Sequence, residues 1–305
     1  MKKLIVVLVG GQSGERKISF LTGDACIKAL KKKGYKVKKL DAKGNFVEKL
    51  KKIKPKMVFN ALHGKYGEDG FVQLILESLK IPYTHSGVIP SSLAMDKVLS
   101  RVIFKKNKIR VPKYFLMHKK NEKNIKKNLK SKKIKFPIVI KPVNEGSSLG
   151  VYICKNEIQF NKNYRKLQTY DRIIVEEYIP GKEIQVAVMN KKALGAIELV
   201  PRRQFYDYKA KYSAKAKTKH IMPASISLRK YKEAMYLAEK AHKILGCRGI
   251  TRSDFRFFND KFYLLEINTQ PGMTKLSLVP EIANYCGIRF EDLVAWIAQE
   301  ASINR

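Results

Sequence analysis

"LIVVLVGGQSGERKISFLTGDACIKALKKKGYKVKKLD", residues 4 to 41, is the stretch that decides the fold. Its apolar start, "LIVVLV", is typical of a buried strand and ends in two glycines. The helix-like segment "ISFLTGDACIKALKKKG" comes next, and "YKVKKLD" has the character of a second strand. A strand, a helix and a strand in this order predict a βαβ unit with parallel strands.

The same alternation continues to about residue 87. An apolar segment, "KMVFNALHG", precedes the helical "DGFVQLILESLK" and the short "IPYTHSG". Alternating strands and helices predict a parallel sheet covered on both faces, and such sheets bind ligands beyond the carboxyl ends of their strands. This rule indicates two candidate binding loops, "GGQSGER" (10–16) and "NALHGKYGEDG" (60–70).

The remaining chain divides into two further segments, so we expect domains at 1–87, 88–176 and 177–305. The fold class is therefore α/β. A polar, aromatic stretch at 201–224 has no clear periodicity, and a loop of that length is usually functional or disordered. The other predicted elements are helices at 91–109, 228–246 and 289–301 and strands at 136–142, 150–155, 172–179, 182–190 and 192–200.

Charge is the most unusual feature of the composition. The chain has 305 residues, 45% of them apolar, and a formal net charge of +37. Such a charge attracts polyanions, so a basic nucleic-acid-binding protein is one alternative. A dedicated nucleic-acid footprint clusters on one face, whereas these lysines are spread through nearly every segment. We therefore expect a lysine-biased surface without a specific nucleic-acid partner.

The cysteines and the first residues bear on location. Cys26, Cys154, Cys247 and Cys286 are far apart and form no metal-binding spacing, which favours reduced thiols. The apolar run at 4–9 is shorter than the core of a signal peptide, and no segment reaches the length of a membrane span. We expect a cytoplasmic protein that does not enter a membrane.

The segment "TRSDFRFFNDKFYLLEINTQPGM" (251–273) reads as a hairpin with Asn259 and Asp260 at its turn. Side chains two residues apart on a strand share a face. If the loop has three residues, 259 to 261, two pairs form on one face. They are Asp254 with Glu266 and Arg252 with Asn268. A slip of one residue would separate these pairs onto opposite faces.

Two carboxylates and an amide oxygen in one patch suit a hard cation such as Mg²⁺, which takes few protein ligands plus substrate phosphates. The alternative is a solvent-facing edge in which Arg252 and Asp254 form an ordinary ion pair. An apolar strand that ends in E-x-N is harder to explain in that way, so the hairpin favours a metal site.

The loop "KPVNEGSSLG" (141–150) follows an apolar strand. Gly and Ser serve equally in a connecting turn and in a loop that covers phosphate, so its composition leaves both interpretations open. It is not a G-x-x-x-x-G-K-[ST] loop. Lys141 would lie in the strand, where a buried lysine requires an anion.

Together these motifs resemble those of the D-alanine–D-alanine ligases, a family of ATP-grasp enzymes. The resemblance runs from about residue 4 to the C-terminal helix. Its carriers are "GGQSGERKIS", "ALHGKYGEDG", "PYTHSGV", "MDK", "VIKPVNEGSSLGV", "FYDYKAKY" and "LLEINTQPGMTKLSLVP". It implies an N-terminal βαβ domain followed by a two-lobed ATP-grasp of α+β character.

The implied activity is the ligation of two D-alanines with ATP through a D-alanyl phosphate, which supplies peptidoglycan synthesis and so cell-wall formation and cell shape. ATP is then a substrate, and two Mg²⁺ or Mn²⁺ ions are expected. By position, the resemblance implies ATP contacts from Lys97, Lys141, Ser148, Glu176, Glu177, Tyr178, Ile179, Glu183 and Lys211. The implied metal ligands are Asp254, Glu266 and Asn268.

The resemblance also implies roles around the two D-alanines. Glu15, helped by His63, would pair with the first ammonium, and Ser147 and Tyr212 would close the loop over it with Glu15. Without the family, Glu15 passes as a helix-start residue and His63 as a loop histidine. The remaining implied contacts are Arg252 and the Gly272 N–H for the oxyanion, and Ser277 and Leu278 for the second carboxylate.

Two positions depart from the commonest family pattern. Glu177 stands where many members have lysine, and Leu276 replaces a more polar residue. Relatives that use D-lactate lack the tyrosine at the position of Tyr212, so Tyr212 favours an amine acceptor. A ligase for D-lactate or D-serine is the alternative within the family. The family is often dimeric through its N-terminal domain, and we carry a homodimer as an expectation.

Overall fold

The first sheet has β1 (Leu4–Val9) between β2 (Lys36–Asp41) and β3 (Met57–Asn60), all parallel. This computed structural model describes residues 4–119, 125–201, 218–274 and 276–304. Helices α1 (Arg16–Lys32), α2 (Phe46–Ile53) and α3 (Phe71–Ser78) connect and cover the strands. The predicted βαβ unit and parallel sheet are therefore confirmed.

Alternate residues of β1 enter different cores. Ile5, Val7 and Val9 pack into one apolar cluster and Val6 and Leu8 into another. Successive side chains of a strand point to opposite faces, so a strand that is apolar throughout needs cover on both sides. This requirement explains why "LIVVLV" shows no polar alternation.

The C-terminal helices provide one of these covers. Helices α9 (Leu278–Tyr285) and α10 (Phe290–Gln299) both pack into the cluster that contains Ile5 and Val7, and α10 supplies Leu293, Val294 and Ile297 to it. The backbone of Ser302 also bridges to Tyr83 beside β3. The last described helix therefore completes the core of the first sheet.

The central sheet is antiparallel, with the order β4–β7–β5–β6. Its strands are β4 (Tyr114–His118), β5 (Ile138–Pro142), β6 (Tyr152–Cys154) and β7 (Arg172–Glu177). Helices α6 (Ile125–Ser131) and α7 (Glu157–Lys166) cover one face through an apolar cluster, which leaves the other face to the cleft described below.

The third sheet has five antiparallel strands in the order β10–β9–β8–β11–β12. They are β8 (Lys182–Met189), β9 (Lys192–Val200), β10 (Lys219–Ile221), β11 (Ile250–Phe258) and β12 (Lys261–Asn268). Helices α4 (Val88–Met95), α5 (Lys97–Lys106) and α8 (Leu228–Ile244) contribute to the core on one face. The domain boundaries at residues 87 and 176 stay predictions.

The hairpin turn differs from the predicted one. Phe258 pairs with Lys261, so the turn has two residues rather than three. Asn259 and Asp260 have φ values of 46° and 58°. A two-residue turn with both φ values positive matches the right-handed twist of its strands and suits Asn and Asp.

The predicted pairing nevertheless holds, because a bulge compensates. The register shifts after Asp254, and Leu265 is left without a directly opposite residue. Asp254 therefore lies opposite Glu266, and Arg252 lies opposite Asn268. One extra residue in one strand restores the alignment that the shorter turn would have lost.

The prediction of one continuous helix at 91–109 is wrong, because the structure has two helices there, α4 and α5. Asp96, with φ −82° and ψ 101°, ends α4, and its carboxylate accepts hydrogen bonds from the N–H groups of Val98 and Leu99 at 2.9 Å. An aspartate that caps a new helix stabilises a break there. No helix in the described ranges combines the length and apolar character needed to cross a membrane.

Leu293→Ala should lower the free energy of unfolding by about 2–5 kcal/mol, because it opens a cavity between α10 and the first sheet. Leu293 is fully buried, whereas Ile158 is 79% exposed. Ile158→Ala is therefore the control and should change stability by less than about 0.5 kcal/mol. Urea unfolding followed by circular dichroism measures both, and equal effects would contradict the cross-sheet packing.

Candidate active site

Two adjoining pockets lie among the three sheets. The N-terminal pocket reaches the loops after β1 and β3 and the start of α9, with about 860 Å³ of space that is partly open to solvent. The inter-sheet pocket lies between the central and five-stranded sheets, with about 840 Å³. Lys97, Glu145 and Glu266 line both pockets, so molecules bound in the two could touch there.

The predicted site residues divide between these pockets. The N-terminal pocket is lined by Glu15, His63, Ser147, Arg252, Asn268, Gly272, Ser277 and Leu278. The inter-sheet pocket is lined by Lys141, Ser148, Glu176, Glu177, Tyr178, Ile179, Glu183 and Asp254. Lys211 and Tyr212 lie outside the described residues.

The loop that follows β5 covers the N-terminal pocket. Ser147 donates a hydrogen bond from its hydroxyl to the carboxylate of Glu15, which is buried at the start of α1. A Cβ at Gly146 would stand 2.9 Å from the Glu15 Oε1 atom, so glycine permits this close approach. Ser147 and Ser148 have φ values of 49° and 60°, which turn the loop tightly over the pocket.

His63 is buried within a polar network. Its Nδ1 atom lies 2.9 Å from Glu68 Oε1, and its Nε2 atom lies 2.8 Å from the hydroxyl of Thr22. Burial lowers the pKa of His63, but the hydrogen bond and charge of Glu68 and the charge of Glu15 outweigh it, so the pKa is raised. The two carboxylates therefore favour the protonated form of His63 on the wall of the pocket.

Arg252 and Asp254 form a bidentate pair on β11. The Arg252 Nε and Nη2 atoms donate to the two Asp254 oxygens at 2.7 and 2.9 Å. The ion pair weighed in the sequence interpretation is present, but β11 lies between β8 and β12, and Asp254 is buried. The solvent-facing edge of that interpretation is therefore wrong.

The start of α9 forms another wall of the N-terminal pocket. Ser277 occupies the N-cap position, and its hydroxyl accepts a hydrogen bond from the Thr274 N–H at 2.9 Å. A Cβ at Gly272 would stand 2.9 Å from the Ser277 Oγ atom. The first turn of a helix presents N–H groups without intrahelical acceptors, which favours a bound carboxylate near Ser277 and Leu278.

A buried charge cluster forms the floor of the inter-sheet pocket. Lys141 Nζ lies 2.9 Å from one Glu176 oxygen, and Arg101 pairs with the other. Burial foremost lowers the pKa of Lys141, while it raises that of Glu176. The two cations outweigh burial at Glu176 and leave its pKa lowered. The anion that a buried Lys141 requires is thus Glu176.

The segment after β7 supplies the far end of this pocket. Glu177, which departs from the commonest family pattern, is fixed by a backbone contact. Its carboxylate accepts a hydrogen bond from the Lys113 N–H at 2.8 Å. Glu183 lies 3.4 Å from the guanidinium of Arg256. Ile179 is buried, and its carbonyl accepts from Arg256 Nε at 3.0 Å.

Lys97 stands between the two pockets. It is the first residue of α5, its Nζ atom donates to the Glu145 carbonyl at 2.5 Å, and it lies 3.5 Å from Glu266. Asp96 caps α5 directly before Lys97, so the break between α4 and α5 also determines the position of the Lys97 ammonium.

Asp254, Glu266 and Asn268 supply two carboxylates and one amide oxygen. No three His, Cys, Asp or Glu side chains in the described part of the chain are grouped to hold a metal. The predicted set differs from such a group because its third ligand is the amide oxygen of Asn268. Asp254 and Glu266 both line the inter-sheet pocket, and such a sparse oxygen set fits a cation that takes its other ligands from phosphate.

Several site residues were missed by the sequence interpretation. Glu68 and Glu145 lie within the quoted motifs "GKYGEDG" and "NEGSS", so they could have been found as acids in binding loops. Glu145 is half-buried, and burial raises its pKa. Arg101 gave no signal, because a basic residue within a lysine-rich helix is ordinarily solvated.

Glu68→Gln should lower the pKa of His63, because it removes the negative charge that opposes the effect of burial. In the wild type the raised pKa stabilises the fold at low pH, and this contribution is lost as pH rises through the folded-state pKa. The variant should lose that pH dependence. NMR titration of the His63 ring measures the pKa, with the exposed Glu48→Gln as control; an unchanged pKa would contradict the assigned pair.

Two family models match the chain. The one described as the D-ala D-ala ligase N-terminus matches residues 38–86, and the one described as the D-ala D-ala ligase C-terminus matches residues 103–299. Among solved structures, the D-alanine–D-alanine ligase of Bacillus anthracis in complex with ATP has a TM-score of 0.85 and 28% identity. The alignment covers 98% of this chain and 97% of that chain.

Curated relatives agree over the full length. The D-alanine–D-alanine ligase of Pelagibacter ubique is 58% identical over 306 residues, which cover 100% of each chain. The D-alanine–D-alanine ligase of Sinorhizobium medicae is 43% identical over 312 residues, which cover 99% of each chain. The chain therefore belongs to the D-alanine–D-alanine ligase family.

Proposed function

We infer that the chain catalyses the ATP-dependent ligation of two D-alanines to D-alanyl-D-alanine, with release of ADP and phosphate, for peptidoglycan synthesis. The observation that carries this function is the junction of the two pockets at Lys97, Glu145 and Glu266. A nucleotide in one pocket could there pass a phosphoryl group to a carboxylate in the other.

ATP fits the inter-sheet pocket. Glu176 to Ile179 would contact the adenine, and Glu183 would accept hydrogen bonds from the ribose hydroxyls. Lys97 and Lys141 would contact the phosphates, with Ser148 over them and Lys211 added by family resemblance. Cations held in fixed positions stabilise the charge that spreads over a transferring phosphoryl group.

The first D-alanine fits the N-terminal pocket. Its ammonium would pair with Glu15 beside His63, which directs its carboxylate toward the junction. An oxygen of this carboxylate attacks the γ-phosphorus, the bond to the ADP oxygen breaks, and a D-alanyl phosphate forms. Arg252 and the N–H of Gly272 would neutralise the charge on the acyl oxygen.

The second D-alanine would bind by its carboxylate at Ser277 and Leu278, where the start of α9 favours an anion. Its amine attacks the acyl carbon, the amine loses a proton, and phosphate leaves. Ser147, with Glu15 and Tyr212, would hold the covering loop closed and assist the loss of the proton. A closed loop also excludes water from the hydrolysable acyl phosphate.

Asp254, Glu266 and Asn268 would hold Mg²⁺ or Mn²⁺. Such ions, when bound, neutralise phosphate charge. In the structure Arg252 is paired with Asp254 and Lys97 lies near Glu266, so these two cations balance the same carboxylates. Both side chains line the N-terminal pocket, where their charge could instead serve the acyl phosphate.

Glu15→Gln should lower kcat/KM for D-alanine on the order of 100-fold, because it removes the charge that pairs with the ammonium. Phosphate release from ATP measures this, and the exposed Glu48→Gln is the matched control. Comparing D-alanine, D-serine and D-lactate as acceptors tests the proposed amine preference, which a faster reaction with D-lactate would contradict.

No specific nucleic-acid partner is proposed, since the basic residues are spread through the chain. The ligase function would be overturned if the wild type released no phosphate in response to D-alanine. Tight, salt-sensitive DNA binding by the same preparation would then favour the basic-protein alternative.

A homodimer through the N-terminal segment is also proposed. Phe71 and Leu74 on α3 are 49% and 57% exposed, and Tyr66 packs its ring against Phe71. Ile89 on the neighbouring α4, just beyond this segment, is 69% exposed. Adjacent exposed apolar side chains of this kind favour association with a second copy.

Leu74→Asp should shift the protein toward the monomer, because a dimer would have to bury the new charge. Light scattering at several concentrations measures the mass. Ile158→Asp, on α7, is the control for an exposed apolar residue elsewhere. A wild type that stays monomeric at every concentration would contradict the proposed dimer.

A further inference from the structure

Arg101 is the largest fully buried side chain of the described residues, with no exposed area. It lies on α5, one turn after Lys97. Burying an arginine is unfavourable unless its charge and N–H groups find partners. Arg101 has no proposed contact with ATP, metal or D-alanine, so these roles do not explain why it is buried.

Arg101 touches three elements. Its Nη2 atom pairs with the Glu176 carboxylate on β7 and also lies 3.4 Å from the Leu265 carbonyl on β12. Its guanidinium stands 5.3 Å from the ring centre of Tyr114 on β4. Tyr114 lies directly opposite Glu176 across the strands, so the guanidinium contacts two neighbouring side chains of one sheet.

These contacts join the two walls of the inter-sheet pocket. Glu176 and Leu265 both line it, from the central and the five-stranded sheets respectively. Leu265 is the bulge residue that brings Glu266 opposite Asp254. Arg101 thus contacts the Glu176 carboxylate and also the backbone next to Glu266.

Arg101 belongs to a small buried cluster that has a net positive charge among the described residues. Glu176 is paired with both Arg101 and Lys141, so this cluster has two cations for one carboxylate. The Nε and Nη1 atoms of Arg101 are buried, and no hydrogen-bond partner for them occurs among the described residues. A surplus positive charge beneath a pocket favours an anionic ligand above it.

We propose that Arg101 is a positioning residue for the nucleotide. It holds the Glu176 carboxylate and the Leu265 carbonyl at a fixed separation and adds the surplus charge that attracts the phosphates. This inference rests on the proposed function in one respect, that the inter-sheet pocket takes ATP.

Arg101→Met tests the inference. The variant should fold, because Lys141 and Glu176 remain as a neutral pair, and methionine fills apolar space. We expect the Kd for ADP, measured by calorimetry, and the KM for ATP to rise about tenfold, with kcat and the KM for D-alanine within about threefold of the wild type. Arg101→Lys restores the charge and should recover part of the loss.

Arg110→Met is the matched control. Arg110 also places its guanidinium over a tyrosine ring, that of Tyr263 at 5.6 Å, but it is exposed and lies outside the inter-sheet pocket. It should leave the Kd for ADP unchanged. Arg101 would be a merely structural residue if Arg101→Met and Arg101→Lys lowered the melting temperature while the Kd for ADP stayed at the wild-type value.

An equal rise in the KM for D-alanine and for ATP would likewise overturn the proposal, because it would indicate general disruption. Calorimetry with ADP needs no turnover, so it separates this inference from the proposed function. If the wild type bound ADP but did not respond to D-alanine, the ligase function would fail while the role of Arg101 could still be measured.

Discussion

The pairing of Asp254 with Glu266 and of Arg252 with Asn268 across one hairpin is the constraint on which the rest of the site depends. Side chains on a strand change face with every residue, so a register error of one would remove half of these groups from the cleft. The alignment is produced by two local features together, a two-residue turn and a bulge at Leu265. Neither alone would bring the carboxylates together. The bulge is thus required for the proposed site.

Two ion pairs of the cleft join residues that are proposed to separate when substrates bind. Arg252 is paired with Asp254, and Lys97 lies near Glu266. A cation and a carboxylate that neutralise each other can be kept buried until charged ligands replace them. The cluster of Arg101, Lys141 and Glu176 differs because it retains a positive surplus. This surplus favours the proposed binding of an anion near Lys141.

Patterns of hydrophobicity and turn chemistry predicted much of this fold. The strands at 182–190 and 192–200 and the first βαβ unit follow from the periodicity of apolar residues and from the turn residues between elements. Both are local properties of the sequence. The bulge at Leu265 and the helix break at Asp96 were not predicted, because "YLLEIN" and "MDKVLS" have no residue that forbids a regular element. Arg101 could not be predicted as buried, since its partners lie on strands distant in the chain. Glu15 and His63 became site residues only through family resemblance, since each has an ordinary local explanation.

The packing of α10 against the first sheet has a consequence for biosynthesis. Ile5, Val7 and Val9 are translated long before Leu293, Val294 and Ile297, which share their core. One face of the first sheet therefore lacks part of its native cover until α10 has been made. Exposed apolar surface on an incomplete chain invites aggregation. The lysines that surround this sheet, on α1, β2 and α2, keep the nascent segment strongly charged during that interval.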